Sequence, residues 1–338
     1  MIKILSLFSG IGAFEKALEN LDINYELVNY CEIDKFASYA YSLLHDVKEE
    51  MNLGDISKVD TNNIGEFDLM TYGFPCQDIS LAGKKRGIIA GQTRSGLLYE
   101  ALRIIADKKP KYAVAENVKN LVSKMFIDDF NNMLKELDEL GYNSYWKVLN
   151  SKDYGSPQSR ERVFIVSIRK DIDNKTFKFP EPLNEVKILN DITEKSNIDE
   201  KYYCKDNSYI KKFISNINRK IVDFKEPSKF GLVRVGKINN PNMLQMNQRV
   251  FSTEGCSPTI VTGSDSIPKI VQCRVRKLTP LETWRATGFT DKDYWNVRKG
   301  LEDKFYNGKD RSDTQMYKMA GNSIVADVMK NVFKELFK

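Results

Sequence analysis

The sequence predicts an α/β fold with a doubly wound, mostly parallel sheet and a small, irregular, mostly β domain inserted before the C-terminal helices. Strand-length apolar runs alternate with amphipathic helical patterns through residues 1–170. The alternation gives way to lysine- and asparagine-rich segments in residues 171–271, and helical patterns return in residues 272–338. We therefore predict a main domain over residues 1–170, an inserted domain over 171–271 and a segment over 272–338 that completes the main domain.

Five runs of apolar, β-branched or aromatic residues have the length of a strand. They are residues 2–8, 25–31, 68–73, 112–117 and 162–168. Helical spacing lies between these runs and again near the end of the chain. The apolar faces of the predicted helices are formed by Phe14, Ala17, Leu18 and Leu21, by Phe130, Met133, Leu134 and Leu137 before Gly141 ends that helix, and by Ile324, Val328, Val332 and Leu336.

The composition excludes several classes of protein. Apolar residues make up 41% of the 338 residues, and no run approaches the roughly 20 apolar residues of a membrane span, so we expect a soluble protein. The N-terminal stretch indicates a first strand rather than a signal peptide. Five scattered cysteines without a CxxC pair disfavour disulfides and structural zinc. A net charge of +6 suits DNA but does not by itself indicate it.

A glycine-rich turn, Phe8-Ser9-Gly10-Ile11-Gly12, lies between the first strand and the first helix, where the backbone of such a sheet approaches a ligand. Glu15 replaces the third glycine of dinucleotide-binding turns, which disfavours a pyrophosphate. Glu32 ends the second strand, where a carboxylate can accept hydrogen bonds from both hydroxyls of a ribose. Asp55 lies in the next loop. These residues alone fit an adenosyl site and an ordinary turn with surface acids equally well.

Reactive side chains stand at the ends of neighbouring predicted strands. Cys76 in GFPCQDIS follows the third strand, and Glu116 in ENV ends the fourth. Arg160 and Arg162 in QSRER precede and begin the fifth. A lone cysteine is usually a small buried hydrophobic residue. Because the carboxyl edge of such a sheet holds its ligands, we expect the nucleophile, the acid and an arginine to meet there.

The blocks FSGIG, GFPCQDIS, ENV, QSRER and AGNSIVADV occur in the order found in the DNA cytosine-5 methyltransferase family, and the chain resembles that family except over about residues 171–250. The resemblance implies a Rossmann-like, S-adenosylmethionine-dependent methyltransferase domain with an inserted target-recognition domain, of the bacterial or phage restriction-modification type. It implies double-stranded DNA as partner, a monomer, a cytoplasmic location and neither metal nor membrane. A cognate restriction endonuclease that acts separately is compatible with it.

Carried over position by position, the resemblance implies that Cys76 is the nucleophile and that Glu116 holds or protonates the ring nitrogen of cytosine. It implies that Arg162 contacts the base carbonyl, with Arg160 beside it. The implied cofactor residues are Phe8, Ser9, Gly10, Ile11, Gly12, Glu32, Ile33, Asp55, Ile56, Pro75, Leu98, Asn322 and Ser323. The DNA-contact hypotheses are Lys84, Lys85, Arg86 and Arg94 in a glycine-hinged loop, and Arg234, Arg249, Thr259, Arg274 and Arg276 in or near the recognition domain.

The reaction requires these residue types. Carbon 5 of cytosine attacks a methyl sulfonium poorly until a thiolate adds at carbon 6 and an acid neutralises the charge that builds at nitrogen 3. Carbon 6 is out of reach inside a stacked duplex, so the base must rotate out, at a cost on the order of a few kcal/mol.

Two other functions stay open at this point. An RNA methyltransferase would share the chemistry, and a catalytically silent DNA-binding relative would share the fold, although such a relative would be expected to lack Cys76 or Glu116. A zinc-dependent cytosine deaminase is excluded, because it requires HxE and PCxxC motifs. His45, the only histidine, is followed by Asp46 and Val47, and Cys76 has no partner cysteine at that spacing.

Overall fold

The computed structural model describes most of the chain, which forms two compact units. The described residues are 1–76, 88, 93, 95–204, 228, 231–238, 243–263, 266–272 and 274–338. The first unit comprises residues 1–149, 161–181 and 328–338, and the second comprises residues 150–160 and 182–327. The predicted basic loop with Lys84, Lys85, Arg86 and Arg94 lies outside the described residues.

Six strands form the central sheet. They are β1 (Ile2–Leu7), β2 (Tyr25–Cys31), β3 (Leu69–Tyr72), β4 (Tyr112–Val118), β5 (Tyr142–Asn150) and β6 (Glu161–Arg169). They lie side by side in the order β2, β1, β3, β4, β6, β5. The pairs β2 with β1, β1 with β3 and β3 with β4 are parallel, whereas β6 runs antiparallel to β4. The predicted doubly wound, mostly parallel sheet is confirmed, and the five predicted strands agree with the observed ones to within a residue at each end.

The prediction missed β5, which lies at one edge of the sheet. Only Tyr142 and Leu149, near its two ends, are buried, and Trp146 and Lys147 in its middle are exposed. A continuous apolar run was therefore absent. The signal that could have found this strand is the cluster of aromatic and β-branched residues directly after the helix-ending Gly141, whose φ is +95°.

Four helices connect the strands of the first unit and cover its core. They are α1 (Ala13–Glu19), α2 (Lys35–His45), α3 (Leu98–Lys108) and α4 (Ile127–Glu139). Asp34 begins α2 by accepting hydrogen bonds from the backbone N–H groups of Phe36 and Ala37. The main core joins the inner residues of β1, β3, β4 and β6 to the apolar faces of α3 and α4. This buried sheet is the rigid base for the residues that follow its strands.

The second unit combines short strands with helices. Its strands are β7 (Arg234–Lys237), β8 (Arg249–Ser252), β9 (Lys269–Val271) and β10 (Val275–Lys277), in the sheet order β10, β9, β8, β7. Its helices are α5 (Leu189–Ile192), α6 (Pro280–Ala286), α7 (Asp291–Tyr306) and α8 (Asp313–Asn322). By their contacts, residues 272–327 belong with these strands. The division into functional domains at residues 170 and 271 stays a prediction.

A last helix, α9 (Ala326–Leu336), ends the chain, and its residues from Val328 onward belong to the first unit. Phe333 of α9 packs against Phe14 of α1, with ring centroids 6.4 Å apart. Phe337 meets Tyr112 of β4 edge to face at 5.6 Å. The C-terminal residues are therefore part of the core of the first unit. Among the described residues, no helix has both the length and the apolar character needed to cross a membrane.

Arg276 and Glu282 form a fully buried ion pair in the second unit. Arg276, on β10, donates from its two terminal nitrogens to the carboxylate of Glu282 at 2.6 and 2.7 Å. Glu282 also caps α6 by accepting the backbone N–H of Thr279 at 2.8 Å. The hypothesis that Arg276 contacts DNA does not fit this placement, because the guanidinium has no exposed surface and its charge is already neutralised.

We expect Arg276→Met to lower the free energy of unfolding by about 3 kcal/mol, because it leaves the buried carboxylate of Glu282 without its counter-charge. Arg274→Met is the matched control, since Arg274 also pairs with a glutamate, Glu200, but on the surface. Urea denaturation followed by circular dichroism measures both losses. The double variant with Glu282→Leu should recover much of the stability. Similar small losses for Arg276→Met and Arg274→Met would contradict the structural role.

Candidate functional site

The ends of β3 and β4 and the beginning of β6 lie together at one edge of the sheet. Tyr72, the last residue of β3, pairs with Ala115 of β4. The antiparallel register places Val118 of β4 opposite Arg162 of β6. Because β6 runs in the opposite sense, its first residues reach the edge that β3 and β4 reach with their last residues. The structure thus brings Glu116, Arg162 and the segment leading to Cys76 to one edge.

Hydrogen bonds hold the segment that carries Cys76. The side-chain amide of Asn117 donates to the Phe74 carbonyl at 3.1 Å, and the Ser95 hydroxyl donates to the Pro75 carbonyl at 2.7 Å. Phe74 is buried in the core, and Cys76 is a half-buried thiol. The backbone that leads to the sulfur is therefore fixed by β4 on one side and by the residues before α3 on the other. The sequence analysis did not identify Asn117, although it stands in the ENV block.

Glu116 and Arg162 form an ion pair at this edge. Oε1 of Glu116 lies 3.0 Å from Nε of Arg162, and the two side chains are 11% and 17% exposed. The N–H group is not aligned with this oxygen, because Oε1 makes no hydrogen bond among the described residues. A terminal nitrogen of Arg162 donates instead to the Glu161 carbonyl at 2.8 Å. The carboxylate of Glu116 is therefore held by its ion pair with Arg162, and its Oε1 can still accept a hydrogen bond from an N–H of a ligand.

The glycine turn has a backbone shape that glycine adopts most readily. Gly10 and Gly12 have φ values of +55° and +75°. The N–H of Gly10 donates to Oε2 of Glu32 at 2.9 Å, and Oε1 of Glu32 accepts the N–H of Asp34 at 2.8 Å. Burial raises the pKa of Glu32. The carboxylate at the end of β2 therefore fastens the turn and still has lone pairs for further donors.

The predicted cofactor residues of the first unit fit a ligand that carries a ribose and a flat, partly apolar ring. A Cβ built on Gly10 meets no atom within 4 Å, so the space above this residue is open. Ile33, next to Glu32, is 77% exposed. Asp55 is half-buried and accepts the Ser57 hydroxyl at 2.8 Å, which lowers its pKa. Phe8 and Pro75 are half-buried, whereas the side chains of Ser9, Ile11, Ile56 and Leu98 are buried.

Arg160 is buried in the second unit and ties three sequence blocks together. One terminal nitrogen donates to the carbonyls of Ile260 and Gly321, each at 3.1 Å. The Thr259 hydroxyl donates to the carbonyl of Ser159 at 3.1 Å, so the segments around residues 159 and 259 are also joined directly. Arg160 has a framework role in this structure. Asn322, which is exposed, and Ser323, which is buried, follow Gly321 at the end of α8.

The predicted DNA-contact arginines of the second unit have different surroundings. Arg234 on β7 and Arg249 on β8 are exposed on adjacent strands. Arg274 is exposed, but it pairs with both carboxylate oxygens of Glu200 at 2.7 and 3.0 Å and packs over the ring of Tyr203. Arg234 and Arg249 are the two of these arginines that present a guanidinium to solvent without such a bidentate partner.

The edge of the first unit can support addition of a nucleophile to an electron-poor ring. A thiol on a fixed backbone supplies the nucleophile, and a carboxylate next to a guanidinium can meet an N–H and a carbonyl of the same ring. In the part of the chain that the structure describes, no group of three or more His, Cys, Asp and Glu side chains could hold a metal ion.

Comparisons with known proteins agree over the whole chain. A family described as C-5 cytosine-specific DNA methylase matches residues 2–338. The type II methyltransferase M2.ScrFI of Lactococcus lactis subsp. cremoris is 33% identical over 100% of this chain and 99% of its own. The type II methyltransferase M.HhaI of Haemophilus parahaemolyticus is 31% identical over 98% and 93%. The solved structure of the Entamoeba histolytica methyltransferase EhMeth has a TM-score of 0.71 at 16% identity, over 100% and 98% of the two chains, and shares the fold.

We expect Asn117→Ala to loosen the segment before Cys76 and to lower the free energy of unfolding by about 1–2 kcal/mol, because the buried Phe74 carbonyl loses its donor. Iodoacetamide alkylation of Cys76, located by peptide mass spectrometry, should become faster. Asn143→Ala is the matched control, since its amide donates to Asp173 at 2.7 Å from β5, on a different strand. An unchanged alkylation rate in Asn117→Ala would show that this hydrogen bond does not hold the segment.

Proposed function

Because the chain belongs to the C-5 cytosine-specific DNA methylase family, we propose that it moves a methyl group from S-adenosylmethionine to carbon 5 of cytosine at a specific site in double-stranded DNA. The prediction of a DNA (cytosine-5-)-methyltransferase is confirmed by this membership. The finer proposal concerns the steps of the reaction. It rests on one observation, that Glu116, Arg162 and the segment leading to Cys76 share an edge of the sheet.

Cys76 starts the reaction as a thiolate that adds to carbon 6 of the cytosine. The new sulfur–carbon bond uses one electron pair of the thiolate and breaks the double bond between carbons 5 and 6. The displaced electrons make carbon 5 nucleophilic. The fixed backbone of residues 73–76 holds the sulfur in place, so that little motion has to be frozen when the base arrives.

Glu116 and Arg162 hold the base during this addition. Glu116 takes up a proton from solvent before the addition and gives it to nitrogen 3, which neutralises the charge that the thiolate brings. Arg162 donates to the carbonyl at carbon 2. The ion pair between these two residues fixes their mutual position at 3.0 Å before a ligand is present. Both contacts lie on the hydrogen-bonding edge of cytosine, which is accessible only after the base has left the duplex.

The turn at Gly10 and the carboxylate of Glu32 would hold the cofactor. S-adenosylmethionine, when bound, supplies a methyl group on a sulfonium sulfur. Glu32 would accept hydrogen bonds from the ribose hydroxyls and the exposed side chain of Ile33 would lie against the adenine, while the roles of Asn322 and Ser323 stay a prediction. After carbon 5 has taken the methyl group, its proton passes to water, the double bond re-forms, the thiolate of Cys76 leaves and nitrogen 3 returns its proton to Glu116.

Sequence-specific methylation of this kind protects DNA from a separate endonuclease. The relatives M2.ScrFI and M.HhaI are named type II methyltransferases, which supports the same use for this chain. Arg234 and Arg249, which are exposed on adjacent strands of the second unit, are the proposed contacts to phosphates or bases. Bisulfite sequencing of DNA from cells that produce the protein would reveal protected cytosines within one short sequence. Transfer of labelled methyl groups to tRNA instead of duplex DNA would overturn the DNA proposal.

We expect Cys76→Ser to abolish methyl transfer while the dissociation constant for S-adenosylmethionine changes little, because a hydroxyl is a far weaker nucleophile at neutral pH. The check is incorporation of labelled methyl groups into duplex DNA, together with trapping on a duplex that carries 5-fluorocytosine. The wild type and the control Cys204→Ser should form the trapped complex, and Cys76→Ser should not. Trapping by Cys76→Ser would remove this residue from the mechanism.

We expect Glu116→Gln to slow methyl transfer by a factor on the order of 100 to 10,000, because an amide cannot give a proton to nitrogen 3. Single-turnover kinetics with duplex DNA would separate this effect from binding. Glu161→Gln is the matched control, since Glu161 pairs with Lys119 at the same edge of the sheet but is more exposed. Equal rates for Glu116→Gln and Glu161→Gln would exclude Glu116 as the acid.

A further inference from the structure

His45 lies directly beneath the glycine turn and is 1% exposed. It is the last residue of α2, and its Nε2 lies 3.2 Å from the carbonyl oxygen of Ile11 within the turn. A Cβ placed on Gly12 would come within 2.0 Å of the same nitrogen, so the imidazole packs tightly against the backbone of the turn. Gly10 is tied to Glu32, while Ile11 and Gly12 contact His45, so the turn is held at two places.

Both ring nitrogens of His45 face oxygen atoms that accept hydrogen bonds. Nε2 faces the Ile11 carbonyl, and Nδ1 lies 2.8 Å from Oε1 of Glu19. A neutral imidazole carries one N–H and would turn a lone pair toward one of these acceptors. The imidazolium carries two N–H groups and satisfies both. The geometry therefore matches the protonated ring.

Two carboxyl groups, Glu15 and Glu19, lie among the charged and titratable groups around His45 and favour the same state. Glu15 and Glu19 lie on α1, Tyr25 on β2 and Tyr41 on α2, and Lys16 lies 3.6 Å from Glu19. Tyr25 donates to Oε1 of Glu19 at 3.1 Å, and the ring of Tyr41 lies 4.6 Å from that of His45. The buried Glu15, whose oxygens make no hydrogen bond among the described residues, adds a second carboxylate.

Burial alone would disfavour the imidazolium. The hydrogen bond to Glu19, the carboxylates of Glu15 and Glu19 and the Ile11 carbonyl outweigh it and raise the pKa of His45 above its usual value. In turn, Glu19 keeps a lowered pKa, because the hydrogen bond and charge of His45 overcome the effect of its own burial. The two groups are coupled and hold each other in the charged form.

We infer that protonated His45 is a positioning residue that fixes the Ser9–Gly12 turn in its cofactor-binding shape, so that affinity for S-adenosylmethionine depends on the charge of this one imidazole. The inference rests on the proposed function, which places the cofactor at this turn. Since the folded-state pKa is raised, the contribution of His45 is complete below the pKa of an ordinary imidazole. It is lost as the pH rises through the raised value, so the cofactor binds less tightly in alkaline solution.

The charge state of His45 can be read without any activity measurement, because the chain contains a single histidine. Protein labelled with ¹⁵N-histidine gives one imidazole in a long-range ¹H–¹⁵N spectrum. At neutral pH we expect both nitrogens to be protonated, with an N–H signal that exchanges slowly with water. Addition of S-adenosylhomocysteine should raise the pKa of His45 further, since binding and protonation favour each other. A neutral, single-tautomer ring at pH 7 with the ligand bound would overturn the inference.

Isothermal titration calorimetry with S-adenosylmethionine between pH 5.5 and 9 gives the second test. We expect His45→Gln to bind on the order of tenfold more weakly near neutral pH and to lose the part of the pH dependence that comes from the imidazole. The amino group of the ligand also titrates in this range, and His45→Gln reports that contribution alone. Glu19→Gln should move the wild-type midpoint to lower pH. Ser42→Ala, a control on the same helix, should leave both affinity and midpoint unchanged.

The outcomes separate the two proposals. If the wild type binds the ligand and His45→Gln has the same affinity and pH profile, the role of His45 is overturned and the proposed function stands. If the wild type shows no affinity at any pH, both proposals fail. If His45→Gln does not fold, the spectrum of the wild-type imidazole and the Glu19→Gln midpoint still decide the matter, since both are measured with the histidine in place.

Discussion

The reversed direction of β6 is the constraint on which the reactive edge depends. In a wholly parallel sheet, the first residues of β6 would lie beside the first residues of β4. The length of β4, seven residues from Tyr112 to Val118, would then separate the beginning of β6 from the end of β4 that carries Glu116. At roughly 3.3 Å per residue this distance is about 20 Å, too far for any side chain to cross. The antiparallel register removes it and places Arg162 opposite Val118. Because β6 runs in the opposite direction, a single edge of the sheet carries the last residues of β3 and β4 together with the first residues of β6.

Neighbouring residues of β4 serve different purposes at that edge. Glu116 keeps an oxygen that no hydrogen bond occupies among the described residues, whereas Asn117 uses its amide to hold the carbonyl of Phe74. The glycine turn shows the same division, because Glu32 both ties down Gly10 and keeps acceptor capacity. In both places a buried or partly buried polar side chain fixes a backbone segment of the candidate site. The cost of burying such groups is offset because their hydrogen bonds are made within the fold.

The sequence was sufficient for five of the six strands of the sheet and for the order of the residues on its edge, because both follow from local patterns. Apolar runs identify buried strands, and the motifs follow those strands directly. The sequence was insufficient to predict the contacts of a side chain whose partner lies far away along the chain or on another element. Arg276 resembles a surface arginine until β10 and α6 bring Glu282 against it. Arg160 gives no sign that carbonyls at Ile260 and Gly321 will enclose it. β5 escaped detection because an edge strand buries too little to produce an apolar run.

The first unit is assembled from three stretches of chain, the last of which is residues 328–338. During translation this stretch is made after the whole of the second unit. Until then, Phe14 and Tyr112 in the N-terminal part of the nascent protein lack the rings of Phe333 and Phe337 that cover them in the folded protein. Exposed aromatic surface of this kind attracts other unfolded chains. Slow synthesis of the second unit would lengthen the wait, and the yield of folded protein would then depend on translation speed and on chaperones that cover these rings.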